Sequence, residues 1–280
     1  MRKAEQPVDS TQQKPFGEDA WQTWQGLLAY EKERALEARV EWTDDSFPSW
    51  RMEKVTFTAA YADERVTAYL FLPRSVAPPW QVVVFWPGAY AGLSSSSQDG
   101  RNTLDTSYWS YLVRDGRAVL YPILKGTFER GGNLKWDMGP SMDHCIFELK
   151  DVFRSLDYLE TRPDIRADRI GYLGFSWGAI AGPFLGAFEQ RIKAAILLGG
   201  VLYEAQILGF AARWKAPVQM VNARMGGEED RATPLFRAVG APPEHKRLLI
   251  FDTDHSLAGF EKEIIKANLE WLDRYLGPVK

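Results

Sequence analysis

The chain has 280 residues, enough for one large α/β domain or two small ones. Apolar residues make up 45% of it, and eleven tryptophans among them supply material for a substantial buried core. The formal net charge of −3 gives no electrostatic reason to expect a nucleic acid or an anionic membrane as partner.

The few cysteines and histidines limit the chemistry further. Cys145 is the single cysteine, which excludes an intrachain disulfide, and it lies on the apolar stripe of a predicted helix, where a packed thiol is expected. The histidines and this cysteine show no metal-ligand spacing, so we predict no metal and no cofactor. The N-terminus lacks an apolar signal region and no run reaches membrane-spanning length, which together favour a cytoplasmic protein.

The chain divides into three predicted segments. Residues 1–17 are polar and are predicted to form a tail or linker. Residues 18–50 are predicted to be a flanking helical segment, because tryptophans and leucines between positions 20 and 40 are spaced among charges as in an amphipathic helix. Residues 51–280 form the main domain.

The main domain has the pattern of an α/β fold. Two β-rich runs on either side of Ala62–Glu64 predict an antiparallel hairpin. The next strand, Gln81–Trp86, is apolar throughout, as expected of a strand covered on both faces. Strands and helices alternate from there on, which predicts a mostly parallel sheet of about eight strands with helices on both faces.

Two loops follow the early strands. Pro87-Gly88-Ala89 comes directly after the buried strand, where Gly88 permits close backbone approach. The stretch Lys125–Pro140 has no clear period, and long irregular loops are often functional. It is predicted either to wall a substrate pocket or to be an ordinary surface excursion.

A G-x-S-x-G pattern, residues 174–178, carries the strongest functional signal. It follows the β-rich run Arg169–Leu173 and precedes a run of small residues typical of a packed helix start. In that context the pattern predicts a nucleophile elbow, in which glycines allow a sharp turn and Ser176 is held above the end of the sheet. Ser176 is therefore the candidate nucleophile.

A nucleophilic serine needs a base, and only three histidines are available. His255 follows the last predicted strand and precedes the last predicted helix, which is where the order serine, acid, histidine places the base. His144 lies near the start of an amphipathic helix and His245 in a charged loop, so surface roles are expected for both. His255 is the candidate base.

The acid is expected in the loop after the strand Pro217–Asn222, which contains three adjacent carboxylates. Asp230 is the candidate acid because it stands a few residues before Pro234, which is predicted to start a helix. Glu228 and Glu229 are the next candidates, followed by Glu204, and an acidic surface loop is the alternative reading. The backbone amides of Ala89 and Trp177 are the candidate donors to a developing oxyanion.

From about residue 50 to the end, the sequence resembles the α/β-hydrolases, in particular the esterase and prolyl-oligopeptidase-like branch with acetyl xylan esterases and dienelactone hydrolases. Within that branch it looks like the hydrolase domains at the C-terminal ends of some bacterial serine/threonine protein kinases. The segments that carry the resemblance include Trp86-Pro87-Gly88, Gly116–Pro122, Lys125–Arg130, Gly174–Gly178 and Trp271–Pro278. No kinase signature is present in the chain itself.

The resemblance implies an α/β-hydrolase catalytic domain over residues 51–280, with Ser176 and His255 at the family's positions. It also shows a departure, since the family usually has an aspartate four residues after the asparagine that corresponds to Asn222, and Gly226 stands there. We therefore predict a serine carboxylesterase acting on a small-molecule ester. The alternatives are a peptidase or acyl transferase with the same triad, or a catalytically weak hydrolase-like binding protein.

Overall fold

Nine strands form one mixed sheet in the computed structural model, which describes residues 17–97, 104, 106–131 and 142–279. The order across the sheet is β1-β2-β3-β5-β4-β6-β7-β8-β9. The strands are β1 (Arg39–Asp44), β2 (Trp50–Thr58), β3 (Arg65–Pro73), β4 (Trp80–Trp86), β5 (Ala118–Ile123), β6 (Ile165–Phe175), β7 (Ile192–Leu198), β8 (Val218–Ala223) and β9 (Lys246–Phe251).

Eight α-helices accompany the sheet in the described part of the chain. They are α1 (Glu18–Leu28), α2 (Tyr90–Leu93), α3 (Ser110–Asp115), α4 (Met142–Glu160), α5 (Trp177–Phe188), α6 (Ile207–Ala211), α7 (Glu228–Ala238) and α8 (Glu261–Leu276).

The predicted architecture is confirmed. Strands β1 to β3 pair antiparallel, β3 pairs antiparallel with β5, and all pairs from β5 to β9 are parallel. The expected hairpin is β2–β3, which stays in register from Trp50 opposite Pro73 to Thr58 opposite Arg65. These parallel strands place their carboxyl ends along a single edge, where the loops that follow them meet.

Alternation along the central strands divides the core into two layers. In β4, Val82, Val84 and Trp86 face one layer, which includes apolar side chains of α1 and α4 to α7. Val83 and Phe85 face the other layer, which includes those of α3 and α8. Helices therefore cover both faces of the sheet, as the continuous apolar run of β4 predicted.

One boundary differs from the prediction. The helix expected over positions 20–40 ends at Leu28, and β1 then joins the sheet as a ninth strand. As an edge strand with mostly exposed side chains, β1 carries little apolar signal, so its sequence did not reveal it. The predicted tail lies outside the described residues except for Gly17.

Candidate active site

Ser176 lies in the sharp turn between the end of β6 and the start of α5. Its backbone has φ 50° and ψ −107°, a conformation that a residue with a side chain rarely adopts. The Ser176 amide donates to the carbonyl of Leu198 on the neighbouring strand, at 2.8 Å, and this bond helps to hold the turn. The strained turn aims the hydroxyl away from the end of the sheet.

The two glycines of the pattern are required by close packing. A Cβ at Gly174 would lie 2.5 Å from the carbonyl carbon of Gly178, and a Cβ at Gly178 would lie 2.2 Å from the carbonyl oxygen of Trp86. Both distances are far below van der Waals contact. In addition, the Tyr172 hydroxyl donates to the Gly178 carbonyl at 2.6 Å. The first turn of α5 is therefore pressed directly against β4 and β6.

His255 lies in the loop after β9 and faces Ser176. Its Nε2 is 2.9 Å from the Ser176 Oγ, and its Nδ1 is hydrogen bonded to Oε1 of Glu228. An ionised carboxylate only accepts hydrogen bonds, so Nδ1 carries the proton and Nε2 is free to accept from the serine hydroxyl. A Cβ at Gly199 would lie 2.7 Å from Cε1 of the ring, so only glycine leaves room for the imidazole there.

Glu228 is buried at the first position of α7. Its Oε2 accepts from the Ala223 amide at 3.3 Å and from Nδ2 of Asn222 at 3.5 Å. Burial acts to raise the pKa of Glu228, but the hydrogen bond and charge of His255, with these two donors, bring the pKa below its usual value. The carboxylate is therefore ionised at neutral pH.

The structure corrects the choice of acid. Asp230 is exposed, and the carboxylate at His255 is that of Glu228, which stood second in the sequence prediction together with Glu229. The reason is that α7 begins at Glu228 instead of at Pro234, which lies inside the helix. Residues two apart on a helix point in nearly opposite directions, so Asp230 faces away when Glu228 faces the histidine.

A signal for the helix start was present in the sequence. Gly226 and Gly227 both have a φ of 70°, in the left-handed region, and they turn the chain immediately before the acidic residues. An acidic residue at the first helical position is favoured by the helix dipole. Glu229 pairs with Arg224 on the surface, and Glu204 is exposed in the loop before α6.

The Glu228 hydrogen bond has a direct effect on His255. It raises the pKa of the imidazole, with the negative charge of Glu228 acting in the same direction and partial burial opposing both. The imidazolium form of His255 is therefore stabilised.

The two predicted oxyanion donors come from the turn after β4 and from the residue directly after Ser176. Ala89 follows β4 at the start of α2, and Trp177 is the first residue of α5, where a helix amide has no partner within the helix. Among the hydrogen bonds of the described residues outside helices and strands, none is donated by the amide of Ala89 or of Trp177. The Cβ of a residue at position 88 would come within 3.2 Å of the Ser176 Cβ, so this turn lies against the serine.

A buried acid lies behind Trp177. The indole Nε1 of Trp177 donates to Oε2 of Glu148 on α4 at 2.8 Å, and Glu148 is completely buried. Burial raises the pKa of Glu148 to about 8, against the Trp177 hydrogen bond, so its carboxyl is protonated at neutral pH. Its Oε1 is 3.9 Å from Nε2 of His144, and neither atom has a hydrogen-bond partner among the described residues.

The other two histidines and the predicted loop Lys125–Pro140 make no hydrogen bond to Ser176, His255 or Glu228 in the described part of the chain. His144 is largely buried beside Glu148 instead of on the surface, and His245 contacts the Tyr275 hydroxyl at 3.1 Å. Of the predicted loop Lys125–Pro140, residues 132–140 lie outside the described part of the chain. In its described half, Arg130 pairs with buried Asp151 and Phe128 is part of the core.

Comparison with known proteins supports the fold. No protein-family profile matches the chain. The Bacillus subtilis (strain 168) protein named "Putative hydrolase YtaP" is 28% identical over 142 residues, 48% of each chain, so the alignment spans about half the length of that relative.

Two solved structures are similar over most of the chain. The acetyl xylan esterase from Paenibacillus sp. R4 superimposes with a TM-score of 0.69 at 16% identity, covering 94% of this chain and 96% of that one. A cold-adapted esterase from an Arctic intertidal metagenomic library gives 0.66 at 18% identity, with 85% and 99% covered. The chain has the α/β-hydrolase fold, as its sequence predicted.

Two further properties of the described residues bear on function. No helix in the described ranges is both long and apolar enough to cross a membrane. Within the same ranges, no three His, Cys, Asp or Glu side chains are grouped as they would be around a metal ion.

Proposed function

We propose that the protein is a serine carboxylesterase that hydrolyses small carboxylic esters through an acyl-enzyme. The observation that carries the proposal is the continuous hydrogen-bonded series from the Ser176 hydroxyl through His255 to the buried carboxylate of Glu228. Serine, histidine and acid in this geometry form a catalytic triad, and the turn at Ser176 is a nucleophile elbow. The esterase structures with the same fold are consistent with this reaction.

In the acylation step, Ser176 Oγ forms a bond to the ester carbonyl carbon while its proton passes to His255 Nε2. The π electrons of the carbonyl move to its oxygen, which becomes an oxyanion between the amides of Ala89 and Trp177. When the intermediate collapses, the bond to the alcohol oxygen breaks and His255 returns the proton to that oxygen. Glu228 holds the ring in the reactive tautomer and stabilises its positive charge.

Deacylation repeats these steps with water as the nucleophile. His255 accepts a proton from the water, the oxyanion forms at the same two amides, and Ser176 leaves with the proton returned. Esters are favoured over amides because an alcohol is expelled more easily than an amine.

The proposal is tested by turnover of p-nitrophenyl acetate and by labelling with an organophosphonate that traps activated serines. We expect steady turnover, complete loss on labelling, and a single phosphonylated residue, Ser176, by mass spectrometry. The matched control is Ser176→Ala, which should lose about 10⁴- to 10⁶-fold in kcat and remain unlabelled. Turnover by the unmodified protein that survives in Ser176→Ala would reject the proposal.

A further inference from the structure

A cavity of about 130 Å³ on the α3 and α8 side of the sheet is lined by residues that neighbour Ser176 and His255. Four of its lining residues are tied to the reacting groups. The carbonyl of Leu198 accepts from the Ser176 amide. Tyr108 stacks on Phe175, the residue before the serine, with ring centroids 3.8 Å apart, and Ser256 and Leu257 directly follow His255.

The three residues that follow His255 all line the cavity. Its near wall is the loop that carries His255, from Ser256 to Ala258, and its far wall is the first half of α8 with Ile264 and Ile265. In ester hydrolysis, the oxygen that receives the proton from the histidine is the oxygen of the departing alcohol. The alcohol part of the substrate must therefore approach the histidine side, and the acyl part points elsewhere.

The lining decides which alcohols fit. Leu198, Leu257 and Ile264 are buried apolar side chains, and Tyr108 presents an aromatic ring. The side-chain amide of Asn268 donates a hydrogen bond to the Tyr111 hydroxyl at 2.7 Å, so these two polar groups of the lining pair with each other. Glu261 is an exposed carboxylate at the rim, which disfavours an anionic group.

Hydrogen bonds hold the loop that lines the cavity in a strained backbone conformation. Leu257 has a φ of 59°, in the left-handed region that a leucine seldom adopts, and its side chain is nevertheless buried against the cavity. Its amide donates to the Asp254 carbonyl at 2.9 Å, and the Thr253 hydroxyl donates to the Ala258 carbonyl at 2.9 Å. The loop that carries the base therefore also forms one wall of the cavity.

We propose that this cavity is the alcohol-binding subsite and that the preferred substrates are esters of neutral aryl or branched alkyl alcohols. The inference rests on the esterase function proposed above. A larger cavity of about 300 Å³, next to Trp80 and Arg169, lies at the amino ends of the central strands, away from the triad, and takes no part in it.

The test uses two ester series that change one side of the bond at a time. The alcohol series compares benzyl acetate with methyl acetate, and the acyl series compares methyl phenylacetate with methyl acetate. We expect the ratio of kcat/KM for benzyl to methyl acetate to fall about tenfold or more in Ala258→Trp, which fills the cavity from an exposed position. The ratio in the acyl series should stay within about twofold, as expected of a side of the bond that the cavity does not touch.

Ile265→Trp fills the cavity from α8 and should lower the alcohol ratio in the same way. The matched control is Ala77→Trp, at a residue that lines the larger cavity, and it should change neither ratio. An unchanged alcohol ratio in both filling variants would overturn the inference. So would a change confined to the acyl series, because the cavity would then hold the acyl group.

A direct binding measurement tests the alcohol subsite separately from the proposed esterase activity. Benzyl alcohol should bind the catalytically silent Ser176→Ala protein, detected by ligand-observed NMR, and Ala258→Trp in that background should abolish the signal. Binding without any esterase activity in the unmodified protein would reject the proposed reaction while locating a cavity ligand. Activity without such binding would reject the subsite.

Discussion

At the scale of single residues, the buried carboxylate of Glu228 is the acidic group that contacts His255. It is two positions from the acid expected from sequence, and it is the group that orients His255. An aspartate is one methylene shorter than a glutamate, so a glutamate at the first position of α7 reaches the ring from a helix start that would leave an aspartate farther away.

The role of Glu228 predicts a specific pair of variants. Glu228→Gln keeps the shape of the carboxylate but favours the unreactive imidazole tautomer, with a loss of about 10³- to 10⁴-fold in kcat expected. Asp230→Asn, the matched control on the exposed face of α7, should change kcat by less than about twofold, since an exposed charge is well screened. Comparable losses in the two variants would contradict this assignment.

The pH profile of the same variant gives an independent readout. Because Glu228 raises the pKa of His255, the neutral base forms only as the pH rises through that value, so kcat/KM of the wild type should fall on its acid side below a midpoint higher than about 6.5. In Glu228→Gln the residual activity should have its midpoint at lower pH. An acid limb that does not move would show that Glu228 does not act on His255.

At the scale of elements, the residues of the proposed triad follow the ends of parallel strands. Ser176 follows β6, Glu228 follows the turn after β8, and His255 follows β9, so three residues far apart in sequence meet at one edge. The amide of Ala89 after β4 belongs to the same edge. Close packing of Gly178 against Trp86 fixes the spacing between the β4 and β6 turns.

The Ala89 amide can be removed without changing the backbone angle. Ala89 has a φ of −57°, close to the value that proline requires, so Ala89→Pro deletes the N–H group while keeping that angle. We expect a loss of about 10²- to 10³-fold in kcat with an unchanged circular dichroism spectrum. Ala89→Ser retains the amide and should stay near wild-type activity; equal activity of the proline variant would remove Ala89 from the oxyanion site.

At the scale of the whole molecule, the layer between the sheet and α4 contains an acid that the folded protein keeps protonated. Glu148 has its carboxyl proton up to a pH of about 8 in the folded protein, whereas the unfolded chain releases it near pH 4.3. Between those values unfolding releases a proton, so the free energy of unfolding falls as the pH rises. Above about pH 8 both states are ionised and this contribution stops changing.

Glu148→Gln should remove that dependence while retaining an acceptor for the Trp177 indole. From pH 5 to 8, the free energy of unfolding of the wild type should decrease relative to the variant, with a slope approaching about 1.4 kcal/mol per pH unit. Urea denaturation at several pH values measures it, and the exposed Glu33→Gln is the control. Parallel curves for wild type and Glu148→Gln would show that Glu148 is ionised in the folded protein.

The sequence alone was enough to predict the fold class and to select Ser176 and His255 as candidates, because the signals for them are local. The strand, glycine-flanked serine and helix around Ser176 form one contiguous pattern, and the apolar run of β4 predicts a sheet covered on both faces. The position of His255 after the last strand was readable for the same reason. The resemblance to kinase-linked hydrolase domains stays a prediction.

Only the tertiary structure decided the rest. The two glycines before α7 mark the start of this helix in the sequence, but which of the three adjacent carboxylates meets His255 also depends on which side of α7 faces the loop after β9. The contact of Trp177 with Glu148 and the cavity next to the His255 loop likewise join residues distant in sequence. Such contacts depend on distances between separate elements, which no local pattern of residues specifies.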